Sequence, residues 1–111
     1  MSEVDLVLIK NNRQLLADAL RSGKYQQTQN QLRVRGDGYC CMGVAQDIFA
    51  PGEWGSLVMD YQSYPSEVVT KECLALTGEQ INTLVDANDL RNWNFHEIAE
   101  MIENMPILAG K

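Results

Sequence analysis

The sequence predicts an α+β fold in a single domain over residues 1–111: an N-terminal helix, one or two β-hairpins at about 30–41 and 53–62, and three C-terminal helices packed on them. Three observations predict it. Helix-start signatures recur at Pro65/Glu67, Thr77/Gln80 and Asn94/Glu97. Leu32 and Val34 alternate with Arg33 and Arg35 just ahead of the turn formers Gly36-Asp37-Gly38. No repeat, low-complexity tract or linker divides the chain, and 45% hydrophobic residues suit a packed core.

The first helix is expected from Asn11 or Asn12 to Ser22, with Leu15, Leu16, Ala19 and Leu20 as its apolar stripe and Gly23 as its stop. Residues 4–9 are either an earlier turn of that helix, since Ser2 and Asp5 have capping-box spacing, or a short strand. The polar stretch 24–35 ends in an edge strand. Arg35-Gly36-Asp37-Gly38 turns it back into a second strand at Tyr39 and Cys40. Cys41 to Phe49 reads as a short buried helix whose Gly43 implies close approach of another backbone, and Pro51-Gly52 ends it. Residues 52–64, with Leu57, Val58 and Met59 at their apolar centre, form a loop or the second hairpin. A helix then starts at Pro65, with Val68, Val69 and Cys73 as its inner face. Ile81, Leu84 and Val85 line the next helix. Phe95, Ile98, Ala99, Met101 and Ile102 line the last, which Pro106 stops.

Composition narrows the functional classes. The longest apolar run, Leu6 to Ile9, is far below the roughly 20 residues of a membrane span. Glu3 and Asp5 stand where a secretion signal carries bases, so a cytoplasmic location is expected. Three cysteines fit a reducing compartment with free thiols. The net charge of −6 is unevenly spread: residues 1–35 hold six Lys/Arg and three Asp/Glu, and residues 36–111 hold three and twelve. Such an acidic chain repels a phosphate backbone, which argues against direct nucleic-acid binding. It leaves a solvated acidic face, or one that docks on a basic partner or mimics nucleic acid to block one.

Ala19-Leu-Arg-Ser-Gly-Lys-Tyr25, then Leu32-Arg33, then Gly38-Tyr-Cys-Cys-Met-Gly-Val44 is followed by Pro65-Ser-Glu-Val68, Ala87-Asn-Asp89 and Phe95-His-Glu-Ile-Ala-Glu-Met-Ile-Glu103. In order and spacing this resembles a group of small proteins of bacteriophages and prophages, over about residues 12–103. Met42 stands where that group usually has Leu, and the segment between Asn88 and Phe95 is about one residue longer. The resemblance implies phage or prophage origin, a bacterial host cytoplasm and a role accessory to phage growth. It implies no catalytic residue.

Asp86 to Glu97 is twelve residues long and carries Asp86, Asn88, Asn94 and Glu97 at the first, third, ninth and twelfth positions of an EF-hand loop. Leu90 at the fifth position supplies no oxygen, and Arg91 occupies the sixth, where Gly makes the bend. The simpler reading is a helix–loop–helix whose second helix is capped by Asn94 and Glu97, with no metal bound. Cys40 and Cys41 close a strand and open a helix, where a thiol can be acidified, and with His96, the only histidine, they could serve a thiol enzyme. As plain hydrophobes they would fill the core, one inward and one toward the opposite side. Gly36-Asp37-Gly38 is too short for a phosphate loop, so no cofactor is expected. Trp54, Tyr61 and Tyr64 lie in the least regular segment and suit a binding surface. Arg33 and Arg35 share a strand face and either hold an anion or face water and the acidic half.

The function expected is therefore non-enzymatic: a phage-encoded accessory protein that binds a host protein as a potential inhibitor. One alternative is a binder or sponge of a small anionic molecule such as a signalling nucleotide, held by Arg33, Arg35 and the loop aromatics. The other is a cysteine-dependent enzyme.

Overall fold

The structure is a computed structural model and describes residues 2–34, 37–55 and 65–108. Helix α1 runs from Glu3 to Arg21. Residues 4–9 are helical because Ser2 caps them: its hydroxyl accepts the Asp5 N–H at 3.2 Å, and the Asp5 carboxylate accepts the Ser2 N–H at 3.3 Å. Ile9, Arg13, Leu16, Ala17 and Leu20 form the inner face. This corrects the expected stripe. Leu16 and Leu20 point inward and Ala19 is half-buried, but Leu15 lies on the outer side.

Strand β1 (Arg33–Val34) pairs antiparallel with β2 (Gly38–Tyr39), Arg33 opposite Tyr39 and Val34 opposite Gly38. The expected first hairpin is thus present, although Arg35 and Gly36 of its turn lie outside the described residues. On the other side of β2, residues 26–28 run parallel: Thr28 N–H donates to Tyr39 O and Tyr39 N–H to Gln26 O, both at 2.8 Å. Gly38 allows this approach, because a Cβ there would strike the Gln26 carbonyl.

Helix α2 (Cys41–Phe49) follows at once, and its first six residues are buried. It is the central element, touching α1, the hairpin and the helices at 68–73 and 78–89. Residues 51–55 then form a 3-10 turn. Residues 53–55 of the proposed second hairpin are therefore helical turn rather than strand, held down by Glu53 N–H to Ala50 O (3.1 Å) and by Gln46, whose amide donates to the Glu53 carboxylate. The remainder of that segment, with Leu57, Val58, Met59, Tyr61 and Tyr64, lies outside the described residues.

Of the three expected C-terminal helices, α3 (Val68–Cys73) is wound as a π-helix, with Leu74 N–H reaching back to Val69 O at 3.1 Å. The wider turn changes its inner face: Val69 and Thr70 are buried, Cys73 is half-buried and Val68 is exposed. Helix α4 (Gly78–Asp89) starts at a Thr77/Gln80 capping box and α5 (Phe95–Asn104) at an Asn94/Glu97 one, both complete in both directions. Among the described residues no helix is long and apolar enough to cross a membrane.

Helix α5 lies along α1, and their outer edge is clamped by Arg21 and Glu103. The guanidinium holds the Glu103 carboxylate with two hydrogen bonds, one at 2.6 Å, and Gln14 adds a third at 2.8 Å. These donors, Arg21 first, pull the Glu103 carboxyl from its usual 4.5 to about 2. A depressed carboxyl stabilises the fold above its unfolded value, and that contribution is lost as the pH falls through the window from about 4.5 to 2. The melting temperature should therefore drop across that window, and less steeply in Glu103→Gln than in the parent chain.

Candidate functional site

Arg33, the only described member of the expected arginine pair, is half-buried. Its guanidinium carbon stands 4.1 Å from the centre of the Trp54 ring. Trp54 packs edge-on to Tyr39 (6.1 Å between ring centres), and Tyr39 to Tyr25 (5.1 Å). One carboxylate, Asp47 on α2, ties the ends of this row: it accepts the Tyr25 hydroxyl at 2.7 Å and the Trp54 indole N–H at 3.0 Å. Burial and the Asp47 hydrogen bond raise the Tyr25 pKa, so its proton stays in place. Trp54 itself is only 7% exposed. It belongs to the interior, which corrects its expected place on an open binding surface. A buried indole must satisfy its N–H, and Asp47 does so.

Both thiols of the Cys40-Cys41 pair are buried. Cys40 is the N-cap of α2, its sulfur 3.4 Å from the Gly43 N–H, and the Cys41 thiol donates to Leu84 O at 3.6 Å. The helix N-terminus pulls in the acidifying direction, but burial wins. It pushes Cys40 up to about 12 and raises Cys41 well above the ordinary thiol value. His96 is exposed on α5 while both thiols sit in the core, so they form no nucleophile–base pair.

The Asp86–Glu97 segment is not an open ion loop, because α4 continues through Asp89. Asp86 is a helical residue whose carbonyl accepts the Leu90 and Arg91 N–H groups. Asn88 is fully buried and spent on structure. Its oxygen accepts Gln27 Nε2 (2.9 Å) and the Cys41 N–H (3.2 Å), and its amide donates to Thr28 O and to the Asp89 carboxylate, both at 2.8 Å. Asn94 and Glu97 cap α5 reciprocally at 2.9 and 3.1 Å. Asn92, at φ +56, makes the bend instead of a glycine. One buried amide thus joins α4, α2 and the segment beside β2. Replacing it by alanine strands Thr28 O and the Cys41 N–H and takes one bond each from Gln27 and Asp89, which keep Trp93 O and the Asn30 N–H as partners, and should cost about 2–4 kcal/mol in a denaturant titration.

Two polar residues escaped the sequence reading altogether. Arg13 is buried with its guanidinium shared among four backbone carbonyls. Gln46 is fully buried and links α2, the 3-10 turn and the Ser66 N–H. Charged and amide side chains default to the surface, and only their i, i+3, i+4 register with Ile9, Leu16, Ala17 and Leu20 could have placed Arg13 inward.

The open concavities lie elsewhere. One, of about 430 Å³, runs between α1 and residues 105–107, with Leu6, Lys10, Gln14 and Glu103 at its edge. Another, of about 390 Å³, is on α5 and is lined by Trp93, Met101, Glu97, Glu100 and Asn104. Trp93 and Met101 are half-buried, and the two glutamates are exposed around them. Between residues 77 and 104 there are six carboxylates and one arginine. An aromatic and a thioether flanked by carboxylates favour a cationic side chain: the ring face attracts it and the carboxylates neutralise it.

The family model for a domain of unknown function (DUF8296) matches residues 9–76, more than half of the chain. That span takes in Arg13, Arg33, Cys40, Cys41 and Trp54, and ends before α4 and α5. No curated protein and no solved structure matches the chain.

Proposed function

The chain belongs to that family, and on this premise we propose that it is a non-enzymatic binding protein, a phage-encoded accessory factor that takes a basic surface of a host protein onto its acidic C-terminal face. The observation that carries the reading is the α5 groove, which Trp93 and Met101 line together with Glu97 and Glu100. A lysine or arginine of the partner would lie on the indole and pair with the carboxylates, and the acidic field around it would steer the encounter. Occupying a basic functional surface is also how such a protein inhibits. Against a thiol enzyme stand the two buried, proton-holding cysteines. Against an anion sponge at Arg33 stands its stacking on a buried tryptophan.

The test uses the tagged full chain on beads in bacterial lysate, beside Glu97→Gln/Glu100→Gln. Glutamine preserves the α5 cap while removing both charges. The reading expects a stoichiometric basic partner, released by moderate salt and retained at least tenfold less by the variant. An empty eluate, or one identical for both proteins, overturns it.

A further inference from the structure

The groove between α1 and residues 105–107 has an apolar wall and the opposite charge balance to the α5 groove. Leu6 on α1, Ile102 near the end of α5, and Met105 and Ile107 beyond it line the trough. Ile102 is buried and the other three are half-buried, so apolar surface stays open to a ligand. The volume of about 430 Å³ is that of a small-molecule site rather than a packing defect.

Three charged side chains also line it: Lys10, Arg13 and Glu103. Glu103 is already neutralised, because Arg21 holds both of its oxygens and Gln14 donates to one. Lys10 is exposed, and the residues three and four positions from it along α1 are Leu6, Val7, Arg13 and Gln14, none of them acidic. Arg13 is 4% exposed and donates four of its five N–H groups to carbonyls and none to a described carboxylate. It therefore adds positive potential to the wall and leaves direct contact to Lys10. In a chain of net charge −6, this is the concavity whose cations outnumber its unneutralised acids. Such a trough selects an anion with an apolar body. One ammonium suits a head of one charge. A phosphate monoester, at about −1.5 to −2, would hold its excess beside Glu103.

We propose that this groove binds a single-chain aliphatic carboxylate, its tail along Leu6, Ile102, Met105 and Ile107 and its head on the Lys10 ammonium. The site is separate from the α5 groove, and a failed capture from lysate leaves it standing.

Calorimetric titration of the full chain with decanoate, kept below its micelle concentration, tests it. The expected result is one site with a dissociation constant on the order of 10–100 μM. Decyltrimethylammonium has the same tail and the opposite charge, and should bind at least tenfold more weakly although the acidic chain attracts it at long range. Lys10→Glu should weaken decanoate at least tenfold with an unchanged circular dichroism spectrum, since it removes one charge and adds its opposite. Leu8→Glu changes the neighbouring exposed face of α1, outside the groove, and should leave binding within about twofold. No binding up to about 1 mM overturns the proposal. So does equal affinity for the cationic chain, a site indifferent to Lys10→Glu, or one lost in Leu8→Glu.

Discussion

Replacing Gly43 by alanine should cost about 3 kcal/mol or more, enough to leave much of the chain unfolded. Helix propensity alone points the other way, since alanine is better than glycine inside a helix by about 1 kcal/mol. Sterics decide the sign. A Cβ at Gly43 would fall on the carbonyl oxygen of Leu32, with the carbonyl carbon and Cα close behind. That oxygen also accepts the Cys40 N–H at 3.1 Å, so it is fixed from both sides. Backbone cannot rotate away as a side chain can. Making room means lifting α2 off the strand, which would pull Cys40 from its capping position and the Cys41 N–H from Asn88. Equilibrium urea unfolding reads the effect. Gly52→Ala is the matched control, because a Cβ there meets nothing within 4 Å, and it should change stability little.

Arg13→Met should be comparably severe, at about 3–5 kcal/mol. Arg13 enters the core from the inner face of α1 without a carboxylate to meet it. Its Nε donates to Leu74 O at 2.9 Å and Nη2 to Ala75 O at 3.1 Å, while Nη1 donates to Met105 O at 2.7 Å and Pro106 O at 3.2 Å. These carbonyls follow the ends of α3 and α5, where the helix dipoles leave negative charge and unpaired acceptors. One cation therefore caps two helix C-termini and ties both to α1. Burial lowers its pKa from the usual arginine value, the penalty these carbonyls offset. Methionine keeps the apolar stem but strands Leu74 O, Ala75 O and Met105 O, while Pro106 O keeps the bond from Gln80 Nε2. Arg13→Lys should recover less than half the loss, since a single ammonium cannot span two helix ends as the planar fork does. The same urea titration measures both.

What the sequence made legible was local. Ser2/Asp5, Thr77/Gln80 and Asn94/Glu97 each close a hydrogen-bonded cap within four residues, so their spacing carries the whole signal. Gly43 was legible because a glycine inside an apolar helix has few other uses. What stayed hidden depended on distant partners. Leu15 joined the core stripe on paper because α1 is apolar on two faces, and periodicity does not say which face meets α5. Trp54 looked like a surface aromatic until Asp47 and Arg33 were seen to close over it. Asn88 looked like an oxygen ligand, but its partners Gln27, Thr28 and Cys41 lie more than forty residues away. The cysteines were placed by their neighbours along the chain, whereas their pKa values follow from the volume packed around them.

The side chains that look chemical here, Cys40 and Cys41 foremost, hold the fold together. Thiol counting on the native chain with a chromogenic disulfide tests it most directly. The half-buried Cys73 should be the one thiol to react in native protein near pH 8, with Cys40 and Cys41 released only by denaturant. A native thiol reacting rapidly at pH 7, traced by peptide mapping to Cys40 or Cys41, would contradict the claim.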